Sequence, residues 1–112
     1  MSATWAVTPE KVQAAVERII SVARPRKVIL FGSAARGEAN LHSDLDILVV
    51  TRDEIQDSRK ESVRIRRALR GISMAMDILV VPENQLRELA DQPGLVYREA
   101  LRHGKVVYEA PG

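Results

Sequence analysis

Apolar residues recur at three-to-four spacing through Val12, Ala15, Val16, Ile19 and Ile20, which predicts a helix over residues 8–24. Thr8 stands where a cap belongs, Pro9 sits in the first turn, and Pro25 stops the run. The period then changes. KVILF (27–31) is short and rich in β-branched residues, and reads as a strand. DLDILVV (44–50) is a second strand, and SMAMDILVV (73–81), halted at Pro82, a third. Between these two, residues 53–70 read as a helix with Ile55, Ser62, Ile65, Leu69 and Ile72 along its inner stripe and Gly71 after its end. Residues 83–91 form a short helix broken by Pro93–Gly94, and residues 95–104 another, ending at Gly104. KVVYE (105–109) is a short edge strand or an extended tail. This order predicts an α/β (α+β) layer, a small mixed sheet with helices packed against it.

The pentapeptide DILVV occurs twice, as Asp46–Val50 and Asp77–Val81, each time with an aspartate leading an apolar strand. The flanks of the copies differ, so an internal duplication has little support. The helix between them is long enough for a parallel β-α-β crossover. Parallel pairing sets the leading aspartates at one edge of the sheet. Full-register antiparallel pairing would hold them roughly 13 Å apart, at ~3.3 Å per residue. Asp44 and Asp46, two apart on an extended segment, point to one face. Asp44, Asp46 and Asp77 are then predicted to converge, and side-by-side carboxylates repel unless something positive compensates. With no histidine or cysteine in the set, three carboxylates are hard oxygen donors suited to Mg²⁺ or Mn²⁺ rather than zinc.

The chain of 112 residues, 46% of them apolar, suits a single domain spanning residues 1–112. It has no cysteine, which excludes disulfides, Cys-based zinc sites and thiol catalysis. The N-terminus lacks a basic start followed by an apolar run, and no apolar stretch approaches the roughly 20 residues of a membrane span. A cytoplasmic protein with no membrane association is the expectation. Seventeen basic residues against fifteen acidic leave a net +2, too little to indicate direct nucleic-acid binding. The basic residues are unevenly placed, however. Arg59, Lys60, Arg64, Arg66, Arg67 and Arg70 crowd one helix, either as a solvated face or as a surface for an acidic partner or RNA.

In KVILFGSAARG, Gly32 permits a tight turn and lets backbone N–H groups approach an anion. Ser33 adds a hydroxyl donor and Arg36 a guanidinium fork suited to phosphate. The GxxxxGK loop and the dinucleotide GxGxxG pattern are both absent. His42 reads as a polar loop residue, His103 as a partner for a helix C-terminus, and Trp5, Tyr97 and Tyr108 as packing residues.

GSAARG followed by DLD, with a later aspartate on a strand, resembles the signature of the DNA polymerase beta-type nucleotidyltransferase superfamily. The size of the chain resembles that of its minimal nucleotidyltransferases, the MNT-domain proteins. The likeness runs from Lys27 to Val81, and YREALRHGKVVYE resembles that group's usual ending. The resemblance implies a nucleotidyltransferase fold. It also implies that Gly32 and Ser33 hold a nucleoside triphosphate, with Arg36 in support. Asp44 and Asp46 would ligate two divalent ions, and Asp77 would complete the metal site and help activate the attacking hydroxyl. The expected reaction transfers AMP from ATP and releases pyrophosphate. The acceptor it implies is a hydroxyl on a partner, a HEPN-type helical toxin to which this chain is the antitoxin, in a hetero-oligomer or homo-oligomer. A binding antitoxin that masks its partner without turnover, and transfer to RNA or a small molecule, are the alternatives.

Overall fold

A computed structural model of the chain describes residues 7–32, 45–52, 57–89 and 102–111. Helix α1 spans Pro9–Ala23. The Thr8 hydroxyl accepts from the Lys11 amide at 3.3 Å, satisfying one of the N–H groups that a helix start leaves without a partner. Arg24, in left-handed geometry at φ 45°, closes the far end through its amide to the Ile20 carbonyl. Ala15, Val16 and Ile19 are buried, and Val12 and Ile20 half-buried, as the spacing predicts.

Strand β1 spans Lys27–Phe31, β2 Leu45–Thr51, β3 Met76–Pro82 and β4 Lys105–Glu109, in one sheet of order β3-β2-β1-β4. β1 runs antiparallel to both β2 and β4, while β2 and β3 are parallel. The mixed sheet and the parallel crossover are therefore both present, and KVVYE is a strand rather than a tail. The third strand starts at Met76, three residues later than predicted. The predicted helix over residues 95–104 lies, up to residue 101, outside the described residues.

The crossover between β2 and β3 contains α2, Ser58–Ala68. Its start falls five residues after the predicted one. Asp57 caps it, accepting from the Lys60 amide at 3.1 Å, and this capping geometry sets the boundary. Residues 53–56, including Ile55, lie outside the described residues. Ile65 and Leu69 are buried as predicted, Ser62 and Ile72 only half so, and Glu61 is buried instead. At the other end of α2, Arg18 of α1 donates to the Ala68 and Arg70 carbonyls at 3.3 and 2.7 Å. The Ala68 carbonyl is an acceptor that the helix end leaves open, and the Arg70 carbonyl belongs to the turn after it. Gly71, at φ 93°, turns the chain toward β3.

The two faces of the sheet have different covers. Val28, Leu30, Leu45, Ile47, Val49 and Ile78 pack with α1 and α2 in the larger core. Ile29, Phe31, Leu48, Val50 and Val81 form a second cluster with Leu86 of helix α3, Glu83–Leu89. β2 lies between β1 and β3 with apolar residues on both faces, so its near-continuous apolar sequence follows from double coverage. Among the described residues, no helix is long and apolar enough to cross a membrane.

Candidate active site

Strand direction places the candidate site. β1 ends where β2 and β3 begin, so Gly32, Asp46 and Asp77 gather at one edge of the sheet. In the parallel β2–β3 register, Asp46 is the direct partner of Asp77. In the antiparallel β1–β2 register, Asp46 stands opposite Phe31, the residue before Gly32. Neighbouring strands lie about 4.8 Å apart, so two aligned aspartates are within reach of a common ion. By strand alternation both side chains leave the face that carries Leu48, Val50 and Val81, opposite α1 and α2. Asp44, Ser33, Arg36 and His42 lie outside the described residues.

The two carboxylates differ in setting. Asp46, on the central strand, is half-buried and lies hard against the Gly32 backbone. Gly32 has φ 86°. A Cβ added there would overlap Asp46 Oδ2 and stand 3.2 Å from its Cγ and 3.5 Å from its Cβ. The glycine is therefore required twice, for its left-handed backbone and for the space its missing side chain leaves to a carboxylate.

Asp77 is not a core residue, although it leads an apolar stretch. Its side chain is 60% exposed, because β3 is an edge strand among the described residues. Arg66 of α2 reaches it around that edge. One guanidinium nitrogen, Nη2, lies 3.6 Å from Asp77 Oδ1 and donates to the Ile78 carbonyl at 3.4 Å. Sequence reasoning placed Arg66 among the basic residues of a helix but gave it no link to Asp77. Eleven positions separate the two, and only the crossover joins them.

Asp46 and Asp77 are oxygen donors on rigid strands, with the Gly32 cradle beside one of them, and they fit a hard divalent cation. Among the described residues no group of three or more His, Cys, Asp or Glu forms a metal cluster.

The family model described as "Polymerase beta, Nucleotidyltransferase" matches residues 14–111. The chain belongs to this nucleotidyltransferase family. It is 38% identical over 56 residues to a Methanocaldococcus jannaschii protein named "Putative protein adenylyltransferase MJ0141". That alignment covers 50% of this chain and 54% of the relative, so the likeness spans about half the length of each. A crystal structure of a protein named "putative nucleotidyltransferase", from Sulfolobus solfataricus, superimposes with a TM-score of 0.59 at 22% identity. The superposition covers 89% of this chain and 78% of that one, and establishes the shared fold.

Proposed function

We propose that this nucleotidyltransferase-family chain transfers a nucleoside monophosphate, AMP from ATP, to a hydroxyl on a partner protein. The observation that carries this reading is the register that makes Asp46 and Asp77 direct partners on parallel strands. The Gly32 backbone against Asp46 supports it, and so does the name of the Methanocaldococcus jannaschii relative.

The acceptor oxygen forms a bond to the α-phosphorus. The bond from that phosphorus to the oxygen bridging toward the β-phosphate breaks, and pyrophosphate leaves with the bond's electron pair. Asp77, the more exposed carboxylate, receives the hydroxyl proton. Asp46 and Asp77, with Asp44, are the residues that would hold Mg²⁺ or Mn²⁺, and such ions offset charge on the attacking and leaving oxygens. Gly32 keeps its backbone against the Asp46 carboxylate. The acceptor in this reading is a HEPN-type helical toxin.

The test incubates the chain with the product of its neighbouring gene, Mg²⁺ and ATP labelled at the α-phosphate. Label passes to the partner protein, and transfer is lost with Asp44→Asn, Asp46→Asn or Asp77→Asn. Variants that neutralise the partner fully with no transfer would make the chain a binding antitoxin instead.

A further inference from the structure

Helix α2 is the most basic element of the chain. Between Asp57 and Arg70 stand six basic residues and two acidic ones, in a protein whose net charge is only +2. All six basic residues are exposed. At 100° per residue, Arg59, Val63 and Arg66 form one row along the helix, with Arg70 in the turn that follows its end, whereas Lys60, Arg64 and Arg67 lie further round it. Val63 in that row is one of two large apolar residues markedly exposed among the described residues.

The row borders an open recess of about 210 Å³ between the end of α2 and β3, the edge strand among the described residues. Arg66 and Arg70 line it together with Leu69, Ile72, Met74 and Met76. One feature ties the recess to the carboxylates: Arg66 belongs to both, with its guanidinium 3.6 Å from Asp77.

We propose that this recess docks an acidic segment of the acceptor protein, with an apolar side chain on the methionine-lined floor and carboxylates on Arg66 and Arg70. The proposal rests on the reading that the acceptor is a protein, and it names the surface that holds it. The composition of the recess selects the occupant. Two guanidiniums above a floor of unbranched, polarizable and aliphatic side chains suit an amphipathic acidic peptide. A single-stranded RNA site would present aromatic platforms for its bases, and the recess lining contains none. A segment seated here reaches Asp77 by passing one strand edge, so docking and presentation of the hydroxyl are one event.

The probe is a fluorescein-labelled random Glu/Tyr copolymer, an acidic polypeptide carrying tyrosyl hydroxyls, with binding read by anisotropy in the absence of nucleotide. Arg70→Glu is expected to weaken binding about tenfold, and Arg70→Ala by less, since each alters a charge at the rim of the contact. Arg67→Glu carries the same charge change on the far side of the row and is expected to bind as wild type. Affinity for a fluorescent ATP analogue stays unchanged in all three variants. Equal weakening by Arg67→Glu and Arg70→Glu would mean diffuse attraction and overturn the site. Failure of the wild-type chain to bind the copolymer also overturns it, as does an RNA oligonucleotide that binds more tightly and is not displaced. Adding α-labelled ATP and Mg²⁺ separates the two readings. A copolymer that binds through Arg70 but is never labelled leaves the dock standing and counts against the transfer reaction.

Discussion

Replacing Gly32 by alanine isolates what the glycine does for the carboxylate. Two effects act together. Left-handed backbone costs an L-residue ~1–2 kcal/mol. In addition, the new Cβ would overlap Asp46 Oδ2, with the Asp46 Cγ at 3.2 Å, so the carboxylate must retreat by on the order of 1 Å. A misplacement of that size costs about 10²-fold in rate when the group acts on the reacting atoms. Gly71→Ala is the matched control. Gly71 has φ 93°, but among the described residues its Cβ would meet nothing nearer than Arg18 Nη1 at 4.0 Å. Gly71→Ala pays the backbone strain without the clash.

Both variants are expected to lose thermal stability, at about 4–8 °C per kcal/mol for a domain near this size. A domain with the usual ~5–15 kcal/mol of stability remains almost wholly folded after such a loss. The assay is transfer of α-labelled nucleotide to the partner protein, with melting followed by circular dichroism. Gly32→Ala loses about 10²-fold in transfer and Gly71→Ala stays near wild type. A folded Gly32→Ala with wild-type transfer would show that the position of Asp46 does not matter to the reaction. Equal losses in the two variants would assign the effect to strain alone.

Three further outcomes follow from the geometry. Arg66→Ala is expected to raise the Mg²⁺ concentration needed for half-maximal transfer by about tenfold, as for loss of a group that orients a ligand carboxylate. Its melting temperature changes little, because an exposed ion pair contributes ~0–1 kcal/mol. Arg66→Lys restores only part of the metal response, since the shorter lysine arm has to carry its ammonium to the place of Nη2, the one nitrogen that meets both Asp77 and the Ile78 carbonyl. A Mg²⁺ dependence unchanged in Arg66→Ala would limit Arg66 to the surface. Ile47→Ala, at a fully buried position in the central strand, is expected to cost ~2–5 kcal/mol in denaturant unfolding. Thr8→Ala removes the α1 cap and costs ~1 kcal/mol, with transfer unaffected.

The elements governed by local rules were legible in the chain. The α1 stripe, its Thr8 cap and the KVILF strand depend on residues a few positions apart, and the structure places them where periodicity and capping put them. The parallel pairing of the two DILVV strands was legible because of the helical stretch between them. What escaped depends on position in the sheet. The exposure of Asp77 and its Arg66 partner follow from β3 being an edge strand among the described residues, which the apolar stretch around Asp77 does not reveal. Glu61 is buried where helical periodicity favoured Ser62, with Oε1 3.6 Å from Arg64 Nη1 and no hydrogen bond. The start of α2 at Ser58 was set by the Asp57 cap, which the apolar stripe does not reveal.

The two pentapeptides pair residue for residue, Asp46 with Asp77 and on through Val50 with Val81. Identical sequences aligned in parallel put like residues on the same face at every step, so two adjacent strands facing the same helices converge on the same alternation. The identity ends at burial. β2 is interior to the sheet and β3 is at its edge, so the same aspartate meets two surroundings. On β2 it is fixed by a backbone, Gly32, whose missing side chain leaves the carboxylate its space. On β3 no neighbouring strand lies beyond it among the described residues, and a guanidinium from the crossover helix fills that role. A rigid carboxylate and an adjustable one at one sheet edge suit a reaction in which one group holds an ion and the other meets an incoming hydroxyl. On this basis Asp46→Glu, which lengthens the fixed side chain into the Gly32 backbone, should be less tolerated than Asp77→Glu, whose longer arm Arg66 can follow. Equal transfer activity in the two variants would remove the distinction between the two carboxylates.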